Sequence, residues 1–300
     1  MSIKSRHSST SIALFHFGTL LTIVAWGVSF VSTKVLLDNG FTPTEVYVYR
    51  TVVAYLLLVA VCHKRILSNN LRDELLFVAC GLCAGSLYFI AENTALEYTL
   101  VSNVSLIVTL APLITTLLVG FVYKNERPGR GVIIGSFVAF IGVGLVIFNS
   151  SFVLDVNPLG DLLSLSAAVS WAVYSLILRK LSAFYTVMFI TRKTFFYGVL
   201  TAIPFLAFEP ELTPISIFVR PEVWSNYLFL GVFCSMLAFV IWAWVIKCLG
   251  AVRSNNYLYF QPVVTLIASA ILLGEVVTWV GYAGCALIIG GVLLSEKLYG

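Results

Sequence analysis

Long apolar stretches separated by short polar connections dominate the chain. A helix needs roughly 20 apolar residues to cross a bilayer, and ten stretches meet or approach that length. Polar connections such as 64–74 and 209–222 divide several of them. The pattern predicts ten transmembrane helices, at about 13–37, 45–62, 75–97, 100–122, 131–148, 159–181, 185–207, 223–246, 253–273 and 276–295.

The pattern occurs twice. W-G-V-S-F-V-S-T-K around Trp26 matches W-A-V-Y-S-L-I-L-R around Trp171, 145 residues further on. Pro112 in L-A-P and Pro262 in F-Q-P are 150 residues apart. The chain therefore divides into a tail (1–12), a first five-helix repeat (13–148), an external linker (149–158) and a second five-helix repeat (159–297).

Composition excludes a soluble protein. Hydrophobic residues make up 60% of the 300 residues and charged residues only 11%, with a mean hydropathy of +0.99. Soluble domains are close to half apolar and a quarter charged. The fold class is therefore an all-α polytopic membrane protein. The net charge of +4 does not indicate a nucleic-acid partner, because the basic residues lie in short connections between helices.

The basic residues predict the orientation. With the N-terminus in the cytoplasm, thirteen of the 18 Lys and Arg residues lie in inner segments. Only Lys34 and Arg220 lie towards the outside, and Arg50, Arg192 and Lys193 lie within spans. This bias favours cytoplasmic termini. Because five is odd, the second repeat then enters the membrane in the opposite orientation, so we expect an inverted repeat.

No motif predicts an enzyme. Cys80 and Cys83 form a C-x-x-C inside an apolar helix, without a second pair of ligands, so we expect no metal site. The three histidines do not form H-E-x-x-H, and G-x-x-x-x-G-K-[ST] is absent from the sequence. We therefore expect no cofactor, no direct ATP hydrolysis and no catalytic residues.

Charged side chains at membrane depth are costly and usually functional. Arg50 and Glu92 both lie about five residues below the outer end of their spans, so they can meet at one depth. Two readings stay open, a substrate clamp facing a cavity and a static ion pair between helices. Burial would favour the protonated form of Glu92, which makes it the candidate for proton coupling. Arg192 and Lys193 are expected to snorkel towards the cytoplasm.

Trp26 and Trp171 lie in the middle of their spans, away from the interfaces where tryptophan is usually enriched. A buried indole needs a partner for its N–H group. Either these rings line a cavity or they pack helices together. Tyr174 is one turn beyond Trp171, and Tyr88 is one turn before Glu92, so both belong to the same candidate surface.

The fourth and ninth spans combine prolines with polar groups. Asn255, Tyr259 and Pro262 share one helical face by their spacing, and a proline within a span favours a kink. We expect these two spans to line the pathway. The remaining candidates are two amides in or beside apolar spans, Asn93 and Asn103, and the proline that matches Pro262 in the first repeat, Pro112. Amides in membrane helices are most often used for interhelical hydrogen bonding.

Several stretches resemble the drug/metabolite transporter superfamily, in particular its EamA-like ten-helix transporters. They are G-D-L-L-S-L-S-A-A-V-S-W-A-V-Y-S-L-I-L-R-K at 160–180, A-E-N-T-A-L-E-Y at 91–98 and L-A-P-L at 110–113. Glu126 and Glu275, each ahead of a glycine-rich run, match as well. The resemblance covers about 12–297. It implies an inner-membrane exporter or exchanger of small metabolites with a central cavity between the halves, and it does not name the substrate.

We therefore expect a secondary transporter that moves an amino acid or a related small metabolite by alternating access. The alternatives are a passive channel-like facilitator and an intramembrane enzyme. The expected partners are the solute and the lipid bilayer, with no nucleic acid. Glycines of the fifth and tenth spans predict close helix packing or a homodimer face; they are Gly131, Gly135, Gly142, Gly144, Gly281, Gly284, Gly290 and Gly291.

Overall fold

A computed structural model describes residues 9–63, 65–98, 101–123, 128–148, 157–209, 211–273 and 277–297. These residues form ten consecutive helical units and no strand, so the predicted all-α fold is confirmed. The units are α1 (Ser9–Asp38), α2 (Pro43–Val61), α3 (71–98), α4 (Val101–Val108 and Ala111–Val122), α5 (Arg130–Phe148), α6 (Pro158–Leu181), α7 (Val187–Ala207), α8 (221–249), α9 (251–273) and α10 (Trp279–Lys297).

Local sequence explains where several helices begin. Thr42 caps α2 through its side chain, which accepts from the Glu45 amide, and the Thr42 amide donates to the Glu45 carboxylate, which completes a capping box. Asn157 caps α6 immediately before Pro158, and Thr186 caps α7. Gly250, with φ of +84°, ends α8 in a conformation that favours glycine and starts α9 within one residue.

Both halves carry irregular turns at matching places. A π-helical segment interrupts α3 at Leu82–Ser86, and another interrupts α8 at Phe229–Leu237. The helix α4 is broken immediately before Pro112, and α9 narrows to a 3₁₀ turn at Tyr257–Phe260 immediately before Pro262. A proline cannot donate the backbone hydrogen bond that would continue the preceding turn. The breaks therefore follow from the repeated prolines.

The two repeats interleave. In the first repeat α1 packs against α8 and α9 of the second, and in the second repeat the equivalent helix α6 packs against α3 and α4 of the first. The equivalent pairs α2 with α7 and α5 with α10 contact each other directly. These contacts between repeats therefore occur in symmetric pairs, as expected for two inverted copies of one unit.

Glycines allow α5 and α10 to touch along their backbones. A Cβ atom added at Gly135 would lie 2.6 Å from the Gly291 carbonyl oxygen, and one added at Gly142 would lie 2.7 Å from the Gly284 carbonyl oxygen. The start of α5 thus meets the end of α10, and the two helices run antiparallel. These four glycines form the predicted packing seam inside the chain.

The outward face of the bundle is apolar. Many large hydrophobic side chains are more than half exposed, among them Phe17, Leu117, Phe137, Ile141 and Phe233. Soluble monomers rarely expose contiguous apolar surfaces of this kind. In the described chain five helical stretches are long and apolar enough to cross a membrane on their own, and they are Pro43–Val61, Leu71–Glu92, Arg130–Ile147, Pro158–Leu181 and Pro221–Leu249. Shorter apolar helices lie at Leu14–Ser29, Leu106–Val122 and Trp279–Ser295.

Candidate functional site

Three tryptophans meet at the centre of the bundle, where α1, α6 and α8 cross. The ring centroids of Trp26 and Trp171 are 5.6 Å apart with the planes at 85°, and Trp242 lies 5.2 Å from Trp26 and 6.2 Å from Trp171. Phe239 packs at 5.5 Å from Trp26. Trp26 and Trp171 occupy equivalent positions in the two repeats, so this aromatic cluster lies on the pseudo-two-fold axis.

The indole N–H groups of Trp26 and Trp171 both donate hydrogen bonds. The partner of Trp26 lies in the second repeat, and the partner of Trp171 lies on another helix of its own repeat. The Trp26 Nε1 donates to the Cys234 carbonyl oxygen at 2.9 Å, within the π-helical segment of α8. The Trp171 Nε1 donates to Asn255 Oδ1 at 3.0 Å. The Asn255 amide nitrogen in turn donates to Ser175 Oγ at 3.1 Å and to the Ala251 carbonyl. Asn255 is thus fully buried and satisfied by α6 and α9.

Asn255 and Tyr259, the two candidates in the first part of α9, face different neighbours. Asn255 joins Trp171 as described, whereas Tyr259 is fully buried among Ala139, Val143 and Ile288 of α5 and α10. The change from α-helix to 3₁₀ turn at Tyr257–Phe260 separates the two side chains, which regular helical spacing would have placed on one face. Tyr259 therefore contacts the glycine seam and lies apart from the aromatic cluster.

Beside the aromatic cluster, Arg50 borders a small enclosed cavity. The residue is 7% exposed, its Nε donates to Ser235 Oγ at 2.9 Å, and its Cζ lies 5.6 Å from the Phe89 ring centroid. The cavity has a volume of about 10 Å³, room for about one water molecule. It lies between α2, α3, α7 and α8, and its other lining residues are Tyr47, Thr51, Ala84, Gly85, Thr194, Phe195 and Phe239.

Glu92 lies one turn of α3 beyond Phe89. The Tyr88 hydroxyl donates to Glu92 Oε1 at 3.0 Å, and the Tyr88 ring lies 5.7 Å from Trp171. Among the ion pairs of the described side chains there is none between Arg50 and Glu92. The static pair that the sequence left open is therefore not formed, and the carboxylate reaches the aromatic cluster through Tyr88.

One end of the bundle, which we call the basic end, is closed by charged side chains. Lys193 forms an ion pair with Glu74, and Arg192 donates to the backbone carbonyls of Cys62 and Arg65. Arg192 and Lys193 are 5% and 6% exposed, so the expectation that they snorkel into water is wrong. Carbonyl and carboxylate oxygens nearby satisfy their charges, which removes the need to reach solvent.

The opposite end, which we call the Glu45 end, is closed by a second polar network. The buried Glu45 carboxylate accepts hydrogen bonds from the Thr213 amide at 2.8 Å, the Thr213 hydroxyl at 2.7 Å and the Thr42 amide at 2.9 Å. Arg220 Nη1 donates to Asn39 Oδ1 at 3.0 Å. The connection before α8 is thereby held against the start of α2.

The remaining candidates are placed as follows. Pro112 and Tyr174 are buried, and the Tyr174 ring lies 5.4 Å from Trp171, so this tyrosine joins the aromatic cluster. Pro262 starts the last part of α9 and is partly buried. Asn93 and Asn103 lie in α3 and α4, and their side chains are outside the described set, as are Glu126 and Glu275 entirely.

Several residues at this site carried no sequence signal. Ser235 and Thr194 are ordinary hydroxyl residues of apolar helices, and only the fold brings them to the cavity of Arg50. Trp242 has the position in the second repeat that Glu92 has in the first when the halves are aligned on their prolines. That correspondence marked the position, but it did not indicate that the ring would join Trp26 and Trp171.

Comparison with known proteins identifies the architecture. The model of the EamA-like transporter family matches residues 13–148 and again 158–296. An uncharacterized transporter of Archaeoglobus fulgidus is 27% identical over 93% of this chain and 96% of its own length. A "probable terminal-alkyne amino-acid exporter" of Streptantibioticus cattleyicolor is 27% identical over 93% of this chain and 92% of its own length. A solved crystal structure, 20% identical, covers 95% of this chain and 97% of its own with a TM-score of 0.77, and shows the same fold.

Proposed function

Because this chain belongs to the EamA-like transporter family, we propose that it is a secondary carrier that exports an amino acid or a related small metabolite by alternating access. The chain is a multi-pass membrane transporter and not an enzyme, as its family and relatives indicate. The basic end faces the cytoplasm of a plasma or inner membrane in this proposal, together with both termini, because most Lys and Arg residues lie on that side.

One observation supports the proposal: polar contacts join the two repeats at both ends of the bundle, and aromatic rings join them at its centre. Glu74 of α3 pairs with Lys193 of α7 at the basic end. Glu45 of α2 is bonded to Thr213 before α8 at the other end. A rocking motion of one repeat against the other breaks one set of contacts while the other set persists, which is the requirement of alternating access. A passive channel needs no such paired closure.

Two features support an amino acid or a similar metabolite. A relative from Streptantibioticus cattleyicolor is named as an amino-acid exporter. At the centre, aromatic rings around Trp26 and Trp171 offer apolar surface next to the charged groups of Arg50 and Glu92. A pathway lined in this way suits a small solute with both a charged part and an apolar part.

Counterflow tests the carrier. Proteoliposomes that contain the full chain are loaded with unlabelled amino acids, and the initial rate of uptake of the same amino acids in labelled form is measured. A carrier shows faster uptake when unlabelled solute is present inside, because the loaded protein returns to the outer face faster than the empty one. Uptake without acceleration would favour a channel-like facilitator, and no uptake would contradict transport of this class of solute.

Glu92 is the proposed proton-coupling group, because its carboxylate lies beside the aromatic cluster. Among the described hydrogen bonds, its partner is the Tyr88 hydroxyl. Replacing it with glutamine keeps the shape and removes the titration. We expect Glu92→Gln to keep counterflow and to lose uptake driven by a pH gradient, while the exposed Glu222→Gln keeps both. Full pH-driven uptake in Glu92→Gln would show that protons are coupled elsewhere or not at all.

A further inference from the structure

We infer that the cavity beside Arg50 is the subsite for a carboxylate of the transported solute, with the Nη groups of Arg50 as its donors. The inference rests on the proposed carrier function and specifies which end of the solute is recognised. It stands on three observations, namely the unfilled hydrogen-bonding capacity of the guanidinium, the hydroxyl lining of the cavity and the match of its charge to a single carboxylate.

The guanidinium of Arg50 is buried and incompletely paired. A guanidinium has five N–H donors, and the described hydrogen bonds account for the one at Nε, which donates to Ser235. No carboxylate among the described side chains forms an ion pair with Arg50. Glu92 interacts with Arg50 electrostatically but does not contact it, so the Nη donors have no hydrogen-bonded counter-ion among the described residues. Charged groups within membrane helices usually pair with one another or mark a solute pathway. A bound anion would supply the missing partner.

Hydroxyl groups surround the same cavity. Thr194 is 2% exposed, and the Cys80 thiol lies beside its hydroxyl. The hydroxyl has no hydrogen-bond partner among the described residues. The Tyr47 hydroxyl lies against Gly85 and Gly198, where an added Cβ atom would come within 2.2 Å and 2.5 Å of it. Side chains at these two positions would displace the phenol. The fold thus holds polar groups around a space that no described side chain fills.

The charge of the site favours a carboxylate over a phosphate. Among the described residues that line the cavity, Arg50 is the only cation. The flat fork of a guanidinium matches the two oxygens of a carboxylate, and one positive charge neutralises it. A phosphate dianion would leave a second negative charge buried without a partner. The rings of Phe89, Phe195 and Phe239 form the apolar walls, where they can contact the rest of the solute.

Ser235 acts as a positioning residue. It lies in the π-helical segment of α8, and its hydroxyl oxygen accepts the hydrogen bond from Arg50 Nε, which holds the guanidinium in place and leaves both Nη groups for a ligand. The cavity of about 10 Å³ has room for about one water molecule, so a carboxylate enters only when the repeats move apart. Binding at this subsite is therefore coupled to opening of the pathway.

A thermal-shift titration of the purified full chain tests the subsite. The probes are a pool of the standard L-α-amino acids and a pool of the matching decarboxylated amines, followed by titration of the most effective acid and its own amine. We expect the acids to raise the Tm of the wild type and the amines to leave it unchanged. Equal shifts with both pools, or no shift with either, would overturn the carboxylate subsite.

Four variants isolate the role of the guanidinium. Arg50→Gln is expected to bind the chosen acid about 10- to 100-fold more weakly, as the loss of charge-assisted hydrogen bonds implies. Arg50→Lys keeps the charge without the fork and is expected to recover only part of the affinity. Ser235→Ala should weaken binding about 2- to 10-fold, and Ser235→Thr should restore it. Arg72→Gln, at an exposed arginine near the start of α3, is the matched control.

Counterflow on the same variants separates this inference from the carrier proposal. Trans-stimulated uptake that Arg50→Gln retains, with wild-type affinity for the acid, removes the subsite and leaves the carrier. Acid binding that depends on Arg50 without trans-stimulation keeps the subsite and removes alternating access. The titration of Arg50→Lys guards against misfolding of the glutamine variant, because a folded lysine variant with unchanged affinity also contradicts the guanidinium fork.

Discussion

Trp26 and Trp171 occupy the same position in the two repeats, and their rings meet edge to face across the pseudo-two-fold axis, 5.6 Å apart. Neither indole is left unsatisfied, since one donates to the Cys234 carbonyl and the other to Asn255. Trp26 thereby connects α1 to the π-helical segment of α8, and Trp171 connects α6 to the part of α9 that precedes its 3₁₀ turn. The centre of the bundle therefore includes the irregular segments of α8 and α9.

Replacing Trp171 with phenylalanine removes the hydrogen bond to Asn255 and keeps an aromatic ring. We expect a loss of about 1 kcal/mol in the free energy of unfolding and slower counterflow, because the ring lies between the repeats. The measurements are thermal unfolding in detergent and initial counterflow rates. Trp279→Phe is the matched control, since Trp279 is 88% exposed, and an equal effect there would remove the special role of Trp171.

Replacing Arg50 with methionine is expected to stabilise the unliganded protein. The side chain is buried, and no described carboxylate pairs with it. Burying a polar group without a full set of hydrogen bonds costs about 1–3 kcal/mol, and an apolar side chain at this position removes that cost. The Tm of the unliganded variant should therefore rise while counterflow is lost. A fall in Tm would indicate that Arg50 serves the fold rather than the solute.

Lys193→Met is expected to loosen the basic end. The substitution leaves Glu74 without its ion-pair partner and removes a contact between α3 and α7. In a background in which Cys62 is the only cysteine, the rate of labelling of Cys62 by a membrane-impermeant maleimide should rise, because its backbone lies in this same network. Lys180→Met, an exposed lysine at the end of α6, serves as the control. Unchanged labelling would contradict a closing role for Lys193.

Gly142→Ala is expected to destabilise the seam between α5 and α10. The added methyl would lie 2.7 Å from the Gly284 carbonyl oxygen, a backbone atom that cannot turn aside. Overpacking of this kind costs about 1–3 kcal/mol. Gly290→Ala on the same pair of helices meets nothing within 4 Å and should be neutral or slightly stabilising. Thermal unfolding of both variants measures the difference, and equal Tm values would contradict the seam.

The repeat, the helices and the polar candidate residues could be predicted from the sequence. Apolar runs and turn residues are local properties, so the positions of the ten helices, the interruptions ahead of Pro112 and Pro262 and the glycine seam followed from the sequence. Equivalent depth suggested that Arg50 and Glu92 would meet. Depth fixes position along the membrane normal but not the rotation of a helix, and rotation directs Arg50 to Ser235 and Glu92 to Tyr88.

The snorkelling expected of Arg192 and Lys193 failed for a related reason. Their sequence neighbours gave no sign that the connection after α2 and the start of α3 would fold over them and supply oxygen partners. Likewise, the regular spacing of Asn255 and Tyr259 predicted one shared face. The 3₁₀ turn at Tyr257–Phe260 changed their relative direction and sent Tyr259 to the seam.

The sequence by itself determined a ten-helix membrane fold built from two copies of a five-helix unit. Hydropathy, the distribution of basic residues and the repeat can all be seen along the sequence without knowledge of tertiary contacts. The tertiary structure alone decided which groups share a cavity. Arg50, Ser235 and Thr194 come from α2, α8 and α7, and they converge because the repeats interleave and a π-helical segment shifts the register of α8. Contacts between distant segments depend on helix rotation and register, which no local pattern encodes.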